Sequence, residues 1–468
     1  MAKVAFIQRN LNENLGVMYI SACLKAAGHE TVCFIDAEEK DLDEAVMAYS
    51  PDIIAFTVFS GMHLWSINTA RRLKSQSNFV IFGGPHATFF PDVIREECVD
   101  AICVGEGEYA MVELANNFPD LERISKIRNL HVKLKGRIDK NKLRELITDL
   151  DELPQPDREI FYRYKSLRDN PRKTVIGTRG CPYNCTFCFN SSYRSLYVGK
   201  GGYVRHRTSH NIIEEILQIQ SRYTLKSVFF QDDTFILDKK WLLDLLSEYK
   251  KKVHIPFTCL IRADLVSEEI VSALKEAGCV CVHFGIESGN EGIRNKLLKK
   301  NIKDEQIIET ARLLRRYNIR FKTYNIIRLP YETIDNAFET VEMNQRIGVD
   351  YPWVSMLVPY PKTELTEYMI DNKLLCEDYN VDDLAVSFFT IKKPTRDDWP
   401  FINLQRLFFY AVKIPILCPL IRRLIYLPPN IFFDGLFFLS HAYNYRGSEN
   451  TNIKDVLYFG FKSLKTSL

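Results

Sequence analysis

The sequence contains no long hydrophobic run. None of its apolar stretches reaches the roughly 20 consecutive residues that a membrane-spanning helix needs. Residues 1–8 lack the basic start and the long apolar core of a secretory signal peptide, and they have the pattern of a first β-strand. We therefore expect a cytoplasmic protein.

The sequence also has little excess charge of either sign. Its 62 Lys and Arg residues and 59 Asp and Glu residues leave a net charge of +3. Nucleic-acid binding depends on a concentrated basic surface, so this balance argues against nucleic acid as the main partner. Internal repeats and low-complexity segments are absent as well. The length of 468 residues predicts two or three globular domains.

Residues 1–135 alternate short apolar strands with helical patterns, which predicts an α/β domain with a doubly wound parallel sheet. The predicted strands are 3–7, 31–35, 52–58, 79–82 and 101–104. Such sheets bind ligands at the carboxyl ends of their strands. Those ends carry glycines together with hydroxyl, acidic, proline and histidine residues, namely Thr57, Ser60, Gly83, Gly84, Pro85, His86, Gly105, Glu106 and Gly107.

Residues 136–170 contain the run Leu153-Pro-Gln-Pro-Asp157 and are predicted to be a linker. Six βα units follow in residues 171–375, which predicts a partial (β/α)6 barrel with its catalytic groups at the carboxyl ends of the strands. The predicted strands of this barrel are 174–177, 227–231, 257–261, 280–285, 320–327 and 351–358. Residues 376–468 are predicted to form a mainly helical C-terminal segment.

Three of the 12 cysteines lie together after the first strand of the predicted barrel. Cys181, Cys185 and Cys188 have the spacing C-x3-C-x2-C, and soft thiolate ligands of this kind select zinc or an iron–sulfur cluster. A structural zinc site needs four ligands, for which His206 is the nearest further candidate. Ordinary iron–sulfur proteins use four cysteines, so three would leave one iron open for a substrate or cofactor.

The position and spacing of these cysteines resemble the radical S-adenosylmethionine (SAM) superfamily, down to the aromatic Phe187 before the last cysteine. The resemblance implies a [4Fe–4S] cluster whose open iron binds the amino and carboxylate groups of SAM. It also implies an electron donor such as flavodoxin or ferredoxin. Electron transfer would then cleave SAM to a 5′-deoxyadenosyl radical.

The same resemblance points to SAM-binding residues at successive strand ends. The segment 231–233 corresponds to the position that meets the SAM ammonium group, although it departs from the common Gly-Gly-Glu form. Glu287 resembles the residue that holds the ribose hydroxyls, and Arg328 stands in the adenine-contacting turn where glycine is usual. Arg262 is expected to pair with a carboxylate. The predicted SAM-binding residues are Phe187, Gln231, Asp232, Asp233, Arg262, Glu287 and Ser288.

The order of motifs in the first domain, beginning at Leu15-Gly16, resembles the cobalamin-binding domain carried by one radical SAM subfamily. The glycines would let the backbone approach the macrocycle and its nucleotide tail, and Thr57 or Ser60 would hydrogen-bond that tail. The loop 8–16 has no histidine, so His63 and His86 are the remaining local candidates for a cobalt ligand. The predicted cobalamin-binding residues are Gly16 and the strand-end residues from Thr57 to Gly107 named above.

Two readings compete with cobalamin binding in this domain. A domain of this fold can degenerate and lose its cofactor. A dinucleotide-binding domain would carry the fingerprint G-x-G-x-x-G after its first strand, and this sequence lacks it.

Taken over residues 1–375, the resemblance implies a cobalamin-dependent radical SAM enzyme. The function we expect is methyl transfer to an unactivated carbon or to phosphorus, through the 5′-deoxyadenosyl radical and methylcobalamin. Two alternatives remain open. One is a non-methylating radical SAM oxidative cyclase or rearrangement enzyme, and the other is an iron–sulfur binding or regulatory module without turnover.

The C-terminal segment is rich in aromatic and aliphatic residues. Residues 401–427 would either form a lid or core segment, lie flat on a membrane surface with Lys413, Arg422 and Arg423 on one face, or contact a partner protein. This apolar character favours a small-molecule or lipid-like substrate.

Overall fold

The computed structural model describes residues 1–385 and 387–449, and these form two compact units. The first unit comprises Met1–Asp169 together with Tyr197–Gly202, and the second begins at Asn170. Val386 and the end of the predicted C-terminal segment, residues 450–468, lie outside the described residues.

The first unit is built on a seven-stranded sheet of order β2-β1-β3-β4-β5-β6-β7. The five strands that precede β6 pair in parallel, and the order reverses between β1 and β3, which confirms the predicted doubly wound sheet. Its strands are β1 (Lys3–Gln8), β2 (Glu30–Ile35), β3 (Ile53–Thr57), β4 (Phe79–Gly83), β5 (Ala101–Cys103), β6 (Leu130–Leu134) and β7 (Arg137–Lys140). Its helices are α1 (Leu15–Ala26), α2 (Leu42–Tyr49), α3 (His63–Leu73), α4 (Gly84–Phe89), α5 (Glu108–Asn117), α6 (Leu121–Ile124), α7 (Glu159–Tyr162) and α8 (Lys165–Arg168).

The segment 136–170, predicted as a linker, belongs almost entirely to the first unit. Strand β7 pairs antiparallel with β6 at the edge of the sheet. Tyr164 donates its hydroxyl to the carbonyl of Cys33 at 3.2 Å, and Ser21 donates to the carboxylate of Asp157 at 2.5 Å. An edge hairpin of polar residues has no continuous apolar run, which explains why the sequence pattern resembled a linker.

The second unit contains a six-stranded parallel sheet of order β15-β14-β13-β12-β11-β8, as expected for a partial α/β barrel. Two further short strands, β9 and β10, pair antiparallel with each other. The strands are β8 (Arg172–Val175), β9 (Thr178–Arg179), β10 (Arg205–His206), β11 (Ser227–Phe230), β12 (Phe257–Ile261), β13 (Cys279–Glu287), β14 (Arg320–Ile327) and β15 (Tyr351–Met356). The helices are α9 (Phe189–Leu196), α10 (Ser209–Arg222), α11 (Lys239–Lys252), α12 (Glu268–Glu276), α13 (Asp304–Arg316), α14 (Ile334–Ile347), α15 (Glu364–Asp371), α16 (Trp399–Lys413), α17 (Cys418–Leu424) and α18 (Ile431–Ser448).

Alternation along the strands separates an apolar and a polar side of this sheet. Phe230, Phe257 and Phe284 belong to the apolar core that also contains the helices. On the opposite side of the sheet, His283 of β13 lies beside its register partner Lys322 of β14, and both side chains are buried and polar. Because successive strand residues point to opposite faces, the polar set faces the inside of the partial barrel.

In the described part of the C-terminal segment, residues 376–398 are mostly turns and the three helices α16, α17 and α18 follow; α16 is part of the core. Leu404, Leu407 and Phe408 of this helix are buried in the same apolar cluster as the barrel strands and helices. Among the helices of the described ranges, none combines the length and apolar character needed to span a bilayer.

Candidate functional site

The cysteine loop begins at the carboxyl end of β8 and is held by a sharp turn. Strand β9, which directly precedes Gly180, pairs antiparallel with β10. Gly180, directly before Cys181, has φ of 91°, and a Cβ atom on it would lie 2.4 Å from the carbonyl oxygen of Tyr203. Only glycine fits this position, because both the backbone conformation and the close approach exclude a side chain.

The middle of the loop is tied to the elements that follow β13 and β15. The backbone N–H of Thr186 donates to the carbonyl of Leu298 at 3.1 Å, and its hydroxyl donates to the carbonyl of Leu297 at 2.8 Å. The carbonyl of Thr186 accepts the N–H of Leu365 at 2.9 Å. The positions of the three cysteines are therefore fixed by long-range contacts as well as by their spacing.

Polar groups surround the three sulfur atoms. Cys185 is buried and its Sγ lies 3.8 Å from Nη1 of Arg262, while Sγ of Cys188 lies 3.8 Å from the amide nitrogen of Asn190. Burial raises the pKa of Cys181 and raises that of Cys188 to about 11 in the metal-free protein. Metal binding must then displace protons from these thiols.

The donor set fits an iron–sulfur cluster better than zinc. Within the described ranges, no three His, Cys, Asp or Glu side chains converge as ligands of a single metal ion. The ring of His206, the fourth-ligand candidate, packs against Trp241 at 5.0 Å. In a cluster each cysteine ligates its own iron, so its sulfur atoms do not need to converge on one ion.

The two aspartates at the end of β11, Asp232 and Asp233, lie in different environments. Asp232 is fully buried, and its Oδ1 accepts the N–H of Gly177 at 3.0 Å, so it holds the start of the cysteine loop. Burial raises the pKa of Asp232 to about 7, against the opposing effect of hydrogen bonds from Thr178 and Gly177. Gln231 and Asp233 are exposed. Partial desolvation raises the pKa of Asp233, and Asn190 opposes that rise.

Arg262, expected to pair with a carboxylate, pairs with one from its own turn. Its Nε and Nη2 lie 3.0 and 3.2 Å from the two oxygens of Asp264. Its guanidinium also stacks 3.4 Å above the ring of Tyr183 and donates to the carbonyl of Lys300 at 2.8 Å. This buried arginine thus holds a positive charge beside the sulfur of Cys185.

The end of β13 has a strained backbone at Glu287, with φ of 66°. The carboxylate of Glu287 folds back over Gly285, where a Cβ atom would lie 1.9 Å from Oε1, and it forms an ion pair of 2.5 Å with Lys300. Ser288 is buried and its carbonyl accepts Nη1 of Arg294 at 2.9 Å. Outlying backbone of this kind is concentrated at functional sites.

The neighbouring turn after β14 has a second such residue. Arg328, at the position where the family usually has glycine, adopts the left-handed φ of 64° and pairs with Asp398 at 2.6 Å. The carboxylate of Glu332, which the sequence did not single out, accepts the N–H of Leu329 at 3.0 Å, and burial raises its pKa to about 8. No local pattern distinguished Glu332 from a solvated loop charge.

Phe187 lies between the second and third cysteines and is partly buried. It packs against a small apolar cluster that includes Leu298, Leu329 and Leu357, beside Ile326 of β14. The aromatic side chain is therefore anchored to the strand ends of the sheet.

In the first unit, most of the predicted cobalamin-binding residues lie at the ends of β3, β4 and β5, and contacts between these residues connect the strand ends. Gly84 has φ of 87°, and a Cβ atom on it would lie 3.1 Å from Cγ2 of Thr57. Thr88 connects two strand ends, because its hydroxyl donates to the carbonyl of Gly84 at 2.9 Å and accepts the N–H of Gly105 at 3.1 Å. Pro85 lies in the first turn of α4, which follows Gly83 directly.

The two histidines considered as cobalt ligands stack on each other. The rings of His63 and His86 are both buried, with centroids 4.5 Å apart, and His86 also stacks on Phe90 at 5.1 Å. Ser60 lies 3.3 Å from Nδ1 of His86. This arrangement gives both rings a packing role.

In the loop after β5, Gly105 lies very close to the side chain of Tyr197, a contact that the sequence pattern did not predict. Gly105 has φ of 80°, and a Cβ atom on it would lie 1.9 Å from the hydroxyl of Tyr197. The N–H of Glu106 donates to that hydroxyl at 3.0 Å, and its carboxylate accepts the N–H of Ile147 at 3.1 Å. Gly107 lies against Ile20 of α1.

Gly16 lies in the first turn of α1, the helix that follows β1. A Cβ atom on it would lie 3.3 Å from Oδ1 of Asn14, which caps the helix by accepting the N–H of Val17. The glycine therefore leaves room for the cap.

Comparisons with known proteins identify the family of each of the two domains. Residues 175–343 match the family model of the radical SAM superfamily, and residues 9–115 match that of the B12 binding domain. An uncharacterized methyltransferase of Pyrococcus horikoshii is 31% identical over 77% of this chain and 79% of its own length. The anaerobic magnesium-protoporphyrin IX monomethyl ester cyclase of Cereibacter sphaeroides is 26% identical over 76% of this chain and 60% of its own length.

Solved structures share the fold. The radical SAM methyltransferase TsrM from Kitasatospora setae superposes with a TM-score of 0.67 at 18% identity, covering 80% of this chain and 76% of that one. The cobalamin-dependent radical SAM enzyme OxsB gives a TM-score of 0.63 at 17% identity, covering all of this chain and 76% of that one. The expectations of family and fold class are confirmed. The chain belongs to the radical SAM superfamily, in the group of enzymes that join a B12-binding domain to the radical SAM core.

Proposed function

We propose that this enzyme transfers a methyl group from SAM to an unactivated carbon or to phosphorus of a small-molecule or lipid-like substrate. The observation that carries the proposal is the fixed cysteine loop of Cys181, Cys185 and Cys188, joined in one chain to a glycine-lined B12-binding unit. The relative that is 31% identical, which is named a methyltransferase, supports methyl transfer over other radical reactions.

The chain's own residues would bind and orient the cofactors. When bound, the [4Fe–4S] cluster with SAM supplies a 5′-deoxyadenosyl radical, and cobalamin supplies a carrier for the methyl group. Cys181, Cys185 and Cys188 would hold the cluster, and a set of three cysteine ligands would leave one iron for SAM. An external donor such as flavodoxin or ferredoxin would deliver the electron.

The residues around SAM divide into contacting and positioning groups. Asp233 is exposed at the end of β11 and would accept hydrogen bonds from the SAM ammonium group. Glu287, held by Lys300, would accept hydrogen bonds from the ribose hydroxyls, and Phe187 would pack against SAM. Asp232 is buried and positions the loop through Gly177.

In the first unit, Gly84 and Gly105 bring the backbone close to their neighbours at the strand ends, where a side chain would enter the space of Thr57 or Tyr197. We assign these glycines, with Thr57 and Ser60, to cobalamin. His63 and His86 stack within the unit, so we assign them to packing and not to cobalt.

The test uses anaerobically reconstituted enzyme with cobalamin, dithionite and SAM that carries a deuterated methyl group. We expect S-adenosylhomocysteine to form and the label to appear on cobalamin by mass spectrometry. Formation of 5′-deoxyadenosine without S-adenosylhomocysteine, with label only in methionine, would favour a non-methylating enzyme such as the cyclase relative. If neither product forms, the protein is an iron–sulfur module without turnover.

A further inference from the structure

Helix α18 presents an apolar face to solvent. Ile431 is 89% exposed, Phe432 67%, Phe438 54%, Leu439 68% and Tyr443 56%. At 3.6 residues per turn these positions fall on one side of the helix, together with Gly435. A surface helix normally shows polar residues on its solvent side, whereas this side is apolar and is left open to solvent by the residues that the structure describes.

The opposite face of α18 is anchored in the second unit. Phe433 belongs to the apolar core, and the side-chain amide of Asn444 donates to the carbonyl of Pro352 at 2.7 Å. The hydroxyl of Tyr410 donates to the carbonyl of Leu436 at 2.9 Å. Because both faces of the helix are apolar and only one is covered, the exposed face is a property of the folded unit.

The segment that leads into α18 adds more exposed apolar side chains. Ile416 is 85% exposed, and Leu420, Tyr426 and Leu427 are exposed as well. Isolated exposed apolar residues are ordinary, but the five on one side of α18 form an apolar patch, which is typical of an interaction surface. We call this segment, residues 414–443, the apolar surface.

The charged residues of the apolar surface are mainly basic, although Arg422 pairs with Asp335 at 2.8 Å and with Glu342 at 3.5 Å. Residues 412–433 contain Lys413, Arg422 and Arg423 and no acidic residue, and Arg446 follows at the end of the exposed helix face. The acidic residue that follows, Asp434, pairs with Arg406 at 2.8 Å. In residues 1–385 and 387–449, no carboxylate lies within ion-pair distance of Arg423 or Arg446, and both side chains are exposed.

We propose that the apolar surface binds the surface of an anionic lipid bilayer, with α18 lying flat and its outer face in the headgroup region. Apolar side chains combined with arginines are the features that bind a helix to a membrane surface, and no helix of the described ranges could cross it. The basic charge favours an anionic bilayer over a protein partner of mixed charge. This proposal concerns a surface outside the cofactor sites and does not depend on methyl transfer.

The experiment is cosedimentation of the reconstituted full-length protein with vesicles. One set contains phosphatidylcholine alone, and the other contains equal parts of phosphatidylcholine and phosphatidylglycerol. We expect at least about tenfold tighter binding to the anionic vesicles, weakened by salt. The double variant Phe432→Asp, Leu439→Asp should lose at least about tenfold in affinity, because two apolar anchors are replaced by anions.

Further variants separate charge from apolar contact. The double variant Arg423→Gln, Arg446→Gln should lose its preference for phosphatidylglycerol while retaining weak binding. The control is Met47→Asp on α2, where the wild-type side chain is 62% exposed outside the apolar surface, and it should bind as the wild type does. Iron content and thermal midpoint verify that each variant is folded.

Two results would overturn the proposal. One is equal failure of the wild type to sediment with either set of vesicles. The other is self-association in analytical ultracentrifugation that Phe432→Asp abolishes without any vesicle binding, since the face would then bind a second copy of this chain.

Discussion

The carboxylate of Glu449 lies 2.5 Å from the guanidinium of Arg172; Glu449 is buried and Arg172 is mostly buried. Arg172 begins β8 at one edge of the barrel sheet, and Glu449 directly follows helix α18. The same carboxylate contacts Lys322 of β14 at 3.4 Å. One residue of the C-terminal segment therefore connects the first strand of the partial barrel with its fifth, inside the barrel.

Replacing Glu449 by Gln should lower the free energy of unfolding of the second unit by about 3 kcal/mol, because two buried cations lose their anion. Denaturant unfolding monitored by near-ultraviolet circular dichroism measures this. The control is Glu305→Gln, an exposed position on α13, which should be within about 0.5 kcal/mol of the wild type. Equal stability of both variants would show that the buried pair contributes nothing net.

Stability should also fall in acid, in two windows. Burial alone would raise the pKa of Glu449, but Arg172, His283 and Lys322 hold it at about 2, against 4.5 for an unfolded chain. Its contribution is therefore complete above pH 4.5 and is lost as the pH falls towards 2. Burial lowers the pKa of His283 to about 4, against 6.5 unfolded, so the unfolded state binds a proton first between those values.

The thermal midpoint, measured from pH 7 down to pH 2, checks both windows. His441 shares the upper window, because burial and Lys322 lower its pKa to about 4. His283→Gln should reduce the loss of stability between pH 6.5 and 4, whereas Glu449→Gln should reduce it only below pH 4.5. A midpoint that stays level from pH 7 to 4 in the wild type would contradict the assignment.

The cluster-ligand assignment predicts that Cys185→Ala loses its bound iron, its charge-transfer absorbance and all cleavage of SAM. The matched control is Cys259→Ala, a buried cysteine on β12 that belongs to the apolar core. It should retain iron while losing some stability, because it leaves a small cavity. Iron content of Cys185→Ala equal to that of the wild type would refute the assignment.

Local pattern predicted the strands well where apolar runs are bounded by turns. The predicted ranges 257–261 and 320–327 match β12 and β14, because the first is a nearly continuous apolar run and the second is rich in aromatic and β-branched residues. The hairpin of β6 and β7 was missed, since its polar edge strand has no such run. The cysteine spacing and the family resemblance led to the loop itself.

The hydrogen-bond and ion-pair partners of the site residues could not be predicted from the sequence. Tyr197 lies 91 positions from Glu106, whose N–H it accepts, and no local signal links them. The ion pair of Glu287 with Lys300 depends on the left-handed backbone at Glu287. This conformation is uncommon for glutamate, and no residue pattern predicted it. Burial of Asp232 likewise followed from packing, not from its place beside Asp233.

If Glu287 holds the ribose hydroxyls, Glu287→Gln should weaken SAM binding by about tenfold, since a charge-assisted hydrogen bond becomes a neutral one. Lys300→Met should weaken it less, and the double variant should be no weaker than Glu287→Gln alone, because lysine acts through the glutamate. Equilibrium binding of SAM to reconstituted protein measures each value.

The control for that pair is Glu364→Gln, which breaks a surface ion pair with Lys299 in the same unit. It should bind SAM as the wild type does. Additive effects of Glu287→Gln and Lys300→Met would instead assign lysine a separate contact with SAM.

The B12-binding unit offers a pair of glycines that separates backbone strain from steric conflict. Gly105 and Gly136 have φ of 80° and 78°, so alanine is strained equally at both and should cost about 1 kcal/mol in stability. A Cβ atom on Gly136 has no neighbour within 4 Å, whereas one on Gly105 would meet the hydroxyl of Tyr197.

Gly105→Ala must therefore move Tyr197 and break its hydrogen bond with the N–H of Glu106, which changes the loop after β5. We expect cobalamin affinity to fall by at least about tenfold, as expected when a buried hydrogen bond is lost and the loop shifts. Gly136→Ala should keep wild-type affinity despite the same backbone strain. Spectrophotometric titration with hydroxocobalamin measures both, and equal affinities would remove the Gly105 loop from the cobalamin site.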